Sequence, residues 1–189
     1  EKRTPCQSGM GGGSSDAAGV LRAVDRLFAM GLTPQELRQA GQTLGADVPA
    51  CITGGGVLAE GIGERITPFT PGDLFVVLKP KASFSTPQMY ARLDQMSERR
   101  SSGDHRAMMA AVSAGDAPGA AALLMNHFEA AAEAPEEILQ AKDALLQAGA
   151  LGASMTGAGS AVFGIFSGRE PAVQAHRDLL AAGWQAFFC

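Results

Sequence analysis

The residues best suited to chemistry stand near the start of the chain, in Gly9-Met10-Gly11-Gly12-Gly13-Ser14-Ser15-Asp16. Four glycines in five positions lack a Cβ, so this backbone can take positive φ and come close to a ligand. Ser14, Ser15 and Asp16 offer N-cap side chains, and Val20, Leu21, Val24, Leu27 and Phe28 recur behind them at helical spacing. A glycine loop that runs into a helix turns unpaired N–H groups and the positive end of the helix dipole toward one small volume, which suits phosphate. The loop is not a Walker A, because no Lys-Ser or Lys-Thr follows the glycines, and it does not fit G-x-G-x-x-G. A flexible linker or a tight helix start is the alternative, although a linker seldom runs straight into so regular an apolar stripe.

Two further stretches carry candidate chemistry. Gly45-Ala46-Asp47-Val48-Pro49-Ala50-Cys51 reads as a turn with one acid among small and apolar neighbours. Such a carboxylate needs a partner or a shifted pKa. It can cap nearby backbone N–H groups or handle a proton, and the residues alone leave both open. Thr156-Gly157-Ala158-Gly159-Ser160 is a second small-residue loop between strand-like Ala153–Met155 and the apolar run Ala161–Phe166. Alone it reads as a hairpin turn; its interest is that it can face the first loop. His127 lies among apolar residues and reads as a helix-surface or satisfied core histidine, and His105 and His176 have no partners at metal-ligand spacing.

The elements that must position these residues follow from capping and periodicity. A helix is expected from about Ser15 to Met30 with Gly31 closing it, then a second from Pro34 to Leu44 behind the capping box Thr33-Pro34-Gln35-Glu36. Gly54-Gly55-Gly56 and Val57–Ile66 read as strand, glycine turn and strand, and Leu74–Leu78 as a buried central strand. A helix from Pro87 to Met96 follows, then a polar, exposed connection Ser97–Arg106, then two or three alanine-rich helices up to Ala148. After the second loop, a helix from Pro171 to Ala182 and a strand Gln185–Phe188 complete an alternation that belongs to an α/β or α+β two-layer domain.

Composition narrows the classes. The 189 residues are 46% hydrophobic and 18% charged, which describes a globular chain. A net charge of −4 argues against nucleic acid or an anionic membrane as the main partner, so a phosphate ligand must be held by amides, a metal ion and a few local cations. Three scattered cysteines without CxxC spacing suit a reducing, cytoplasmic setting and exclude a zinc knuckle, and no apolar run approaches a membrane span.

Pro5-Cys6-Gln7-Ser8-Gly9-Met10-Gly11-Gly12-Gly13-Ser14-Ser15 resembles the second motif of the GHMP kinases, and Met155-Thr156-Gly157-Ala158-Gly159-Ser160-Ala161-Val162-Phe163 resembles the third. Ser14–Ala18, Leu44-Gly45-Ala46-Asp47-Val48-Pro49 and Ala59-Glu60-Gly61-Ile62-Gly63-Glu64 are similar, more narrowly, to the branch acting on a cytidyl-linked methylerythritol in non-mevalonate isoprenoid biosynthesis. The resemblance implies an α+β GHMP fold: an incomplete ribosomal protein S5 domain 2-like part over residues 1–70, and a ferredoxin-like C-terminal domain over 71–189. It implies transfer of the γ-phosphoryl of ATP to the substrate's 2-hydroxyl, with Mg²⁺, in a monomer or homodimer. Under it Pro5, Gly9, Met10, Gly11, Gly12, Gly13, Ser14 and Ser15 hold the ATP phosphates, with Ser14 or Ser15 near Mg²⁺ and Lys2 near the nucleotide. Asp47 matches the catalytic aspartate. Gly157 and Gly159 close the far side of the site, Thr86 matches a substrate-side threonine, and Tyr90 an aromatic that stacks on cytosine.

The departures are specific. Gln7 and Ser8 stand where glycine is common in the family. The family's first motif, Pro-Ala-Lys-Leu-Asn-like, with a lysine that assists the aspartate, has no match, and the chain opens at Glu1, in what reads as the tail of a strand. The expectation is a chain lacking an upstream segment, with sheet edges and apolar faces left uncovered. A homoserine- or mevalonate-type kinase and a non-catalytic nucleotide-binding remnant are the competing readings.

Overall fold

The computed structural model describes residues 4–70, 75–96, 103–132 and 135–189. Residues 1–3, with Lys2 and most of the strand tail expected at the start, lie outside the described residues, as do Leu74 and Ser97–Ser102 of the polar connection; Thr4 and Pro5 form no strand. The chain forms two compact units, Gly11–Pro71 and Glu1–Met10 with Gly72–Cys189.

In the first unit, α1 spans Gly12–Leu27 and so begins three residues before the expected start. Gly11 is the reason: at φ 64 and ψ 20 it serves as a left-handed N-cap, and Gly12 and Gly13 fold into the first turn. The helix stops at Leu27 rather than Met30, because Ala29 already turns left-handed at φ 48, two residues before Gly31. α2, Pro34–Gln42, opens with the expected capping box and ends short of Leu44. The Thr33 N–H donates to Glu36 Oε2 at 2.8 Å, and the Glu36 N–H donates to Thr33 Oγ1 at 3.3 Å. The turn expected at 45–51 is instead the approach to a short helix, α3, Val48–Thr53. Pro49 at its second position has its φ preset for a helix and no N–H to leave unpaired.

Ala18 of α1 packs on Val48 and Ile52 of α3, with Leu21, Leu37 and Cys51 around them. β1, Gly56–Glu60, pairs antiparallel with β2, Arg65–Phe69, as the glycine-flanked pattern predicts. The hairpin turn presses on the peptide before Asp47: a Cβ at Gly63 would lie 1.9 Å from the Ala46 carbonyl oxygen. One face of α1 is open, with Val20, Val24, Leu27 and Phe28 exposed by 62, 39, 77 and 69%.

The second unit has β3 (Phe75–Leu78), α4 (Thr86–Gln95), α5 (His105–Ala114), α6 (Ala117–Ala122) and a 3-10 turn at His127–Ala131. α7 (Pro135–Gln147), β4 (Gly152–Met155), β5 (Val162–Ile165), α8 (Arg169–Ala181) and β6 (Ala186–Phe188) follow. His105 and Arg106 thus belong to a helix, which Asp104 caps at the Ala107 N–H, rather than to the polar connection. The strand order β4-β5-β3-β6, with every pair antiparallel, is the ferredoxin-like β-α-β-β-α-β arrangement. β3 is interior, and its alternation serves two faces. Val76 and Leu78 join the core with Leu145 of α7, Leu179 of α8 and Phe166, while Phe75 packs toward Ala111 and Ala120 of α5 and α6. A strand covered on both faces reads as an unbroken apolar run, which is what the sequence has there.

Candidate active site

The N-terminus of α1 has the donors that the glycine loop predicts. The first intrahelical bond runs from the Ser15 N–H to the Gly11 carbonyl at 2.8 Å, so the N–H groups of Gly12, Gly13 and Ser14 precede the ladder. Among the described residues no acceptor meets them, Gly11 has no side chain to cap them, and no acid stands in the first turn. Three bare amides at the positive end of a 16-residue helix are groups of the kind that can bind an anion. The Ser14 hydroxyl beside them is an oxygen donor of the kind Mg²⁺ takes together with phosphate oxygens. Among the described residues no group of three or more His, Cys, Asp or Glu is placed to hold a metal.

Upstream, Pro5 and Gly9 lie in the other unit. The Ser8 hydroxyl donates to the Pro5 carbonyl at 2.8 Å and is buried, and Gln7 adopts φ 51, a conformation that favours glycine. The two glycine loops meet here. The Ala161 N–H donates to the Ser8 carbonyl at 3.0 Å, the Ser160 N–H to the Gln7 carbonyl at 3.3 Å, and the Thr156 hydroxyl to the Gly9 carbonyl at 3.1 Å. Gly157 and Gly159 both take positive φ, and a Cβ on Gly157 would lie 2.8 Å from the Gly9 oxygen. From below, the buried Ser160 hydroxyl donates to the Ala82 carbonyl, which also accepts from Lys79 Nζ at 2.6 Å. Burial pushes the Lys79 amine below the ordinary lysine range, with the Glu137 charge opposing.

Asp47 is the residue before α3 and is exposed. Its carboxylate makes no capping bond to that helix and, among the described residues, no hydrogen bond or ion pair, so the capping role does not hold. Cys51, one helical turn on, has its thiol pushed up by burial first and then by the Asp47 charge, with Arg22 opposing. Arg22 itself donates to the Ile52 carbonyl, which fixes its guanidinium over the end of α3.

Thr86 opens α4 and Tyr90 follows four residues later on the same face, both exposed. The Tyr90 ring meets Phe128 edge to face, centroids 4.9 Å apart at 88°. Tyr90 borders a cavity of about 900 Å³ with Leu93, Asn126, His127, Glu129 and Lys142. An adjoining cleft of about 550 Å³ shares Tyr90, Asn126 and His127 and reaches Thr156 and Gly157. His127 corrects the sequence reading: it lies on the 3-10 turn, and its Nε2 is buried with no hydrogen-bond partner among the described residues. Asn126 and Glu129, which nothing in the motifs singled out, both bond to the end of β4. The only local signal was an amide-bearing residue just ahead of a helical turn.

A βαββαβ domain joined to a glycine loop that opens a helix, with a second glycine loop locked against the first, defines a small-molecule kinase fold. The descriptions "GHMP kinases N terminal domain" and "GHMP kinases C terminal" match residues 1–55 and 108–185. The chain belongs to the GHMP kinase family. It is 36% identical, over 98% of its length and 66% of the relative's, to the 4-diphosphocytidyl-2-C-methyl-D-erythritol kinase of Acetivibrio thermocellus. To the kinase of the same name from Symbiobacterium thermophilum it is 42% identical over 90% of its length and 61% of the relative's. A crystal structure of 4-(cytidine 5'-diphospho)-2C-methyl-D-erythritol kinase superposes with a TM-score of 0.80 at 33% identity, covering 99% of this chain and 67% of that one. The chain therefore spans a little under two thirds of the length of the curated relatives it matches.

Proposed function

We propose that the chain contributes the phosphate-binding loop and the general base of an ATP-dependent kinase acting on the 2-hydroxyl of 4-diphosphocytidyl-2-C-methyl-D-erythritol, a step in isoprenoid precursor synthesis. The observation that supports the reading is the row of N–H groups at Gly12, Gly13 and Ser14, unpaired among the described residues, that opens α1 directly after the loop residue Gly9, to which Thr156 donates. The acceptor alcohol is supported by the names of relatives 36–42% identical to this chain.

In the reaction the 2-hydroxyl oxygen attacks the γ-phosphorus, the bond from that phosphorus to the bridging oxygen breaks, and ADP leaves with the electron pair. Gly9 to Ser15 hold the phosphates, so the donor is positioned and its charge offset by fixed dipoles. Asp47 accepts the hydroxyl proton; an ordinary aspartate is a weak base, so its placement supplies much of the effect. Ser14, together with the nucleotide phosphates, would hold Mg²⁺, which would supply charge neutralisation during the transfer. Thr86, Tyr90, Gly157 and Gly159 contact the alcohol substrate, and Lys2 the nucleotide. Residues 1–70 as the ATP-binding part and 71–189 as the C-terminal domain belong to the same proposal, as do a monomer or homodimer and a cytoplasmic setting. The described cysteines are unpaired, and no helix among the described residues is long and apolar enough to cross a membrane.

The test is phosphoryl transfer from radiolabelled ATP to a panel of alcohols by the protein isolated from its source cells. Preferential labelling of the cytidyl-linked methylerythritol is expected. Preference for homoserine or mevalonate would overturn the substrate, and nucleotide uptake without transfer would overturn the catalytic role.

A further inference from the structure

Among the described residues β4 is an edge strand, one side of its backbone having no strand partner, and its last residues lead directly into the Thr156 loop. Edge donors and acceptors that are not left to water need side chains. Here they find two, three residues apart: Asn126, which caps the 3-10 turn, and Glu129 within it. Asn126 Nδ2 donates to the Met155 carbonyl at 2.6 Å and to the Gly157 carbonyl at 2.8 Å, while its Oδ1 accepts from the Phe128 N–H at 2.9 Å. Both carbonyls can only accept, so the amide orientation is fixed and a carboxylate cannot replace it. Glu129 Oε1 accepts from the Met155 N–H at 2.7 Å and the Ser154 hydroxyl at 3.0 Å, and its Oε2 accepts from Lys142 Nζ at 2.6 Å. Donor and acceptor of Met155 are thus both taken by one short segment, and the grip extends two residues into the loop.

That loop is the one that holds Gly9 and, through Ser160 and Ala161, the carbonyls of Gln7 and Ser8. We propose that Asn126 and Glu129 are positioning residues that set the Thr156–Ser160 loop, and through it the phosphate-binding residue Gly9, from the far side of the β4 edge. The inference rests on the kinase reading for its consequence in nucleotide binding, but the clamp itself does not need that reading.

Asn126→Asp is nearly isosteric and turns an acceptor toward two carbonyls. It is expected to speed amide hydrogen exchange at Gly157 and Gly159. It is also expected to weaken Mg·ATP binding, read by calorimetry, about tenfold, the worth of one or two ordinary hydrogen bonds. Thr33→Ala, which removes a cap in the other unit, is the control: it lowers the Tm and leaves ATP affinity unchanged. If Asn126→Asp does not fold, Asn126→Ser removes the amide without adding charge, and Glu129→Gln replaces the acceptor. Unchanged exchange at Gly157 and Gly159 in a folded variant overturns the clamp. Faster exchange with unchanged ATP affinity overturns its link to Gly9. Should the unsubstituted protein take up no ATP, the kinase reading falls, and exchange alone decides the clamp.

Discussion

Thr156 and Gly9 interlock: the threonine hydroxyl donates to the glycine carbonyl at 3.1 Å, and a Cβ added to Gly9 would lie 1.9 Å from the threonine's own carbonyl oxygen. The backbones are close enough that only a residue without a side chain fits. Gly9 also sits at φ +73, where an L side chain is strained.

Gly9→Ala should therefore combine left-handed strain with a backbone collision and cost about 2–4 kcal/mol. Denaturant unfolding measures it. Gly19→Ala, mid-helix with nothing within 4 Å of the new methyl, should instead stabilise by up to about 1 kcal/mol. Equal effects at the two sites would mean that the loops do not touch.

Asp47→Asn should lower turnover by about 100-fold or more, the range of a lost general base. The same change has a readout at Cys51, whose thiol the Asp47 charge helps to hold up. Without that charge the thiolate forms more readily, so alkylation of Cys51 at a given pH should quicken. An unchanged alkylation rate would contradict the proximity.

Gln7 is a non-glycine residue at φ 51. Gln7→Gly removes a left-handed penalty of about 1–2 kcal/mol, and the greater freedom of an unfolded glycine offsets up to about 1 kcal/mol of that. Stability should rise slightly or hold level; a clear loss in thermal unfolding would show that the Gln7 side chain has a structural role of its own.

Lys79 gives a pH signature. Its folded pKa lies below the ordinary value of 10.5, so between the two the unfolded chain binds more protons than the folded one. The penalty for a buried ammonium is fully present at lower pH and is relieved as pH rises through the folded pKa, so stability should gain from this group in that window. Unfolding titrations of Lys79→Met should lack the gain. Glu137, whose carboxylate favours the charged amine and also accepts from the Ala82 N–H, should enlarge it when replaced by Gln.

Much of the fold was legible where the cause lies within a few residues. Thr33 and Glu36 announce α2, the glycines at 61 and 63 announce a hairpin, and the apolar run before Lys79 announces an interior strand. That the glycine loop opens a helix was legible for the same reason: bare amides at a helix start follow from local backbone geometry. What escaped was set by partners distant in the chain. α3 needs Ala18 of α1 to pack on, and Asn126 reaches carbonyls 29 and 31 residues away. Thr156 and Gly9, 147 residues apart, meet only once the sheet has brought the end of β4 to residues 7–9. Sequence by itself determined that a glycine loop opens a helix and that β1 and β2 pair through a glycine turn. Tertiary structure alone decided that one loop is held by the other, because hydrogen bonds between distant segments leave no periodicity or cap to be read.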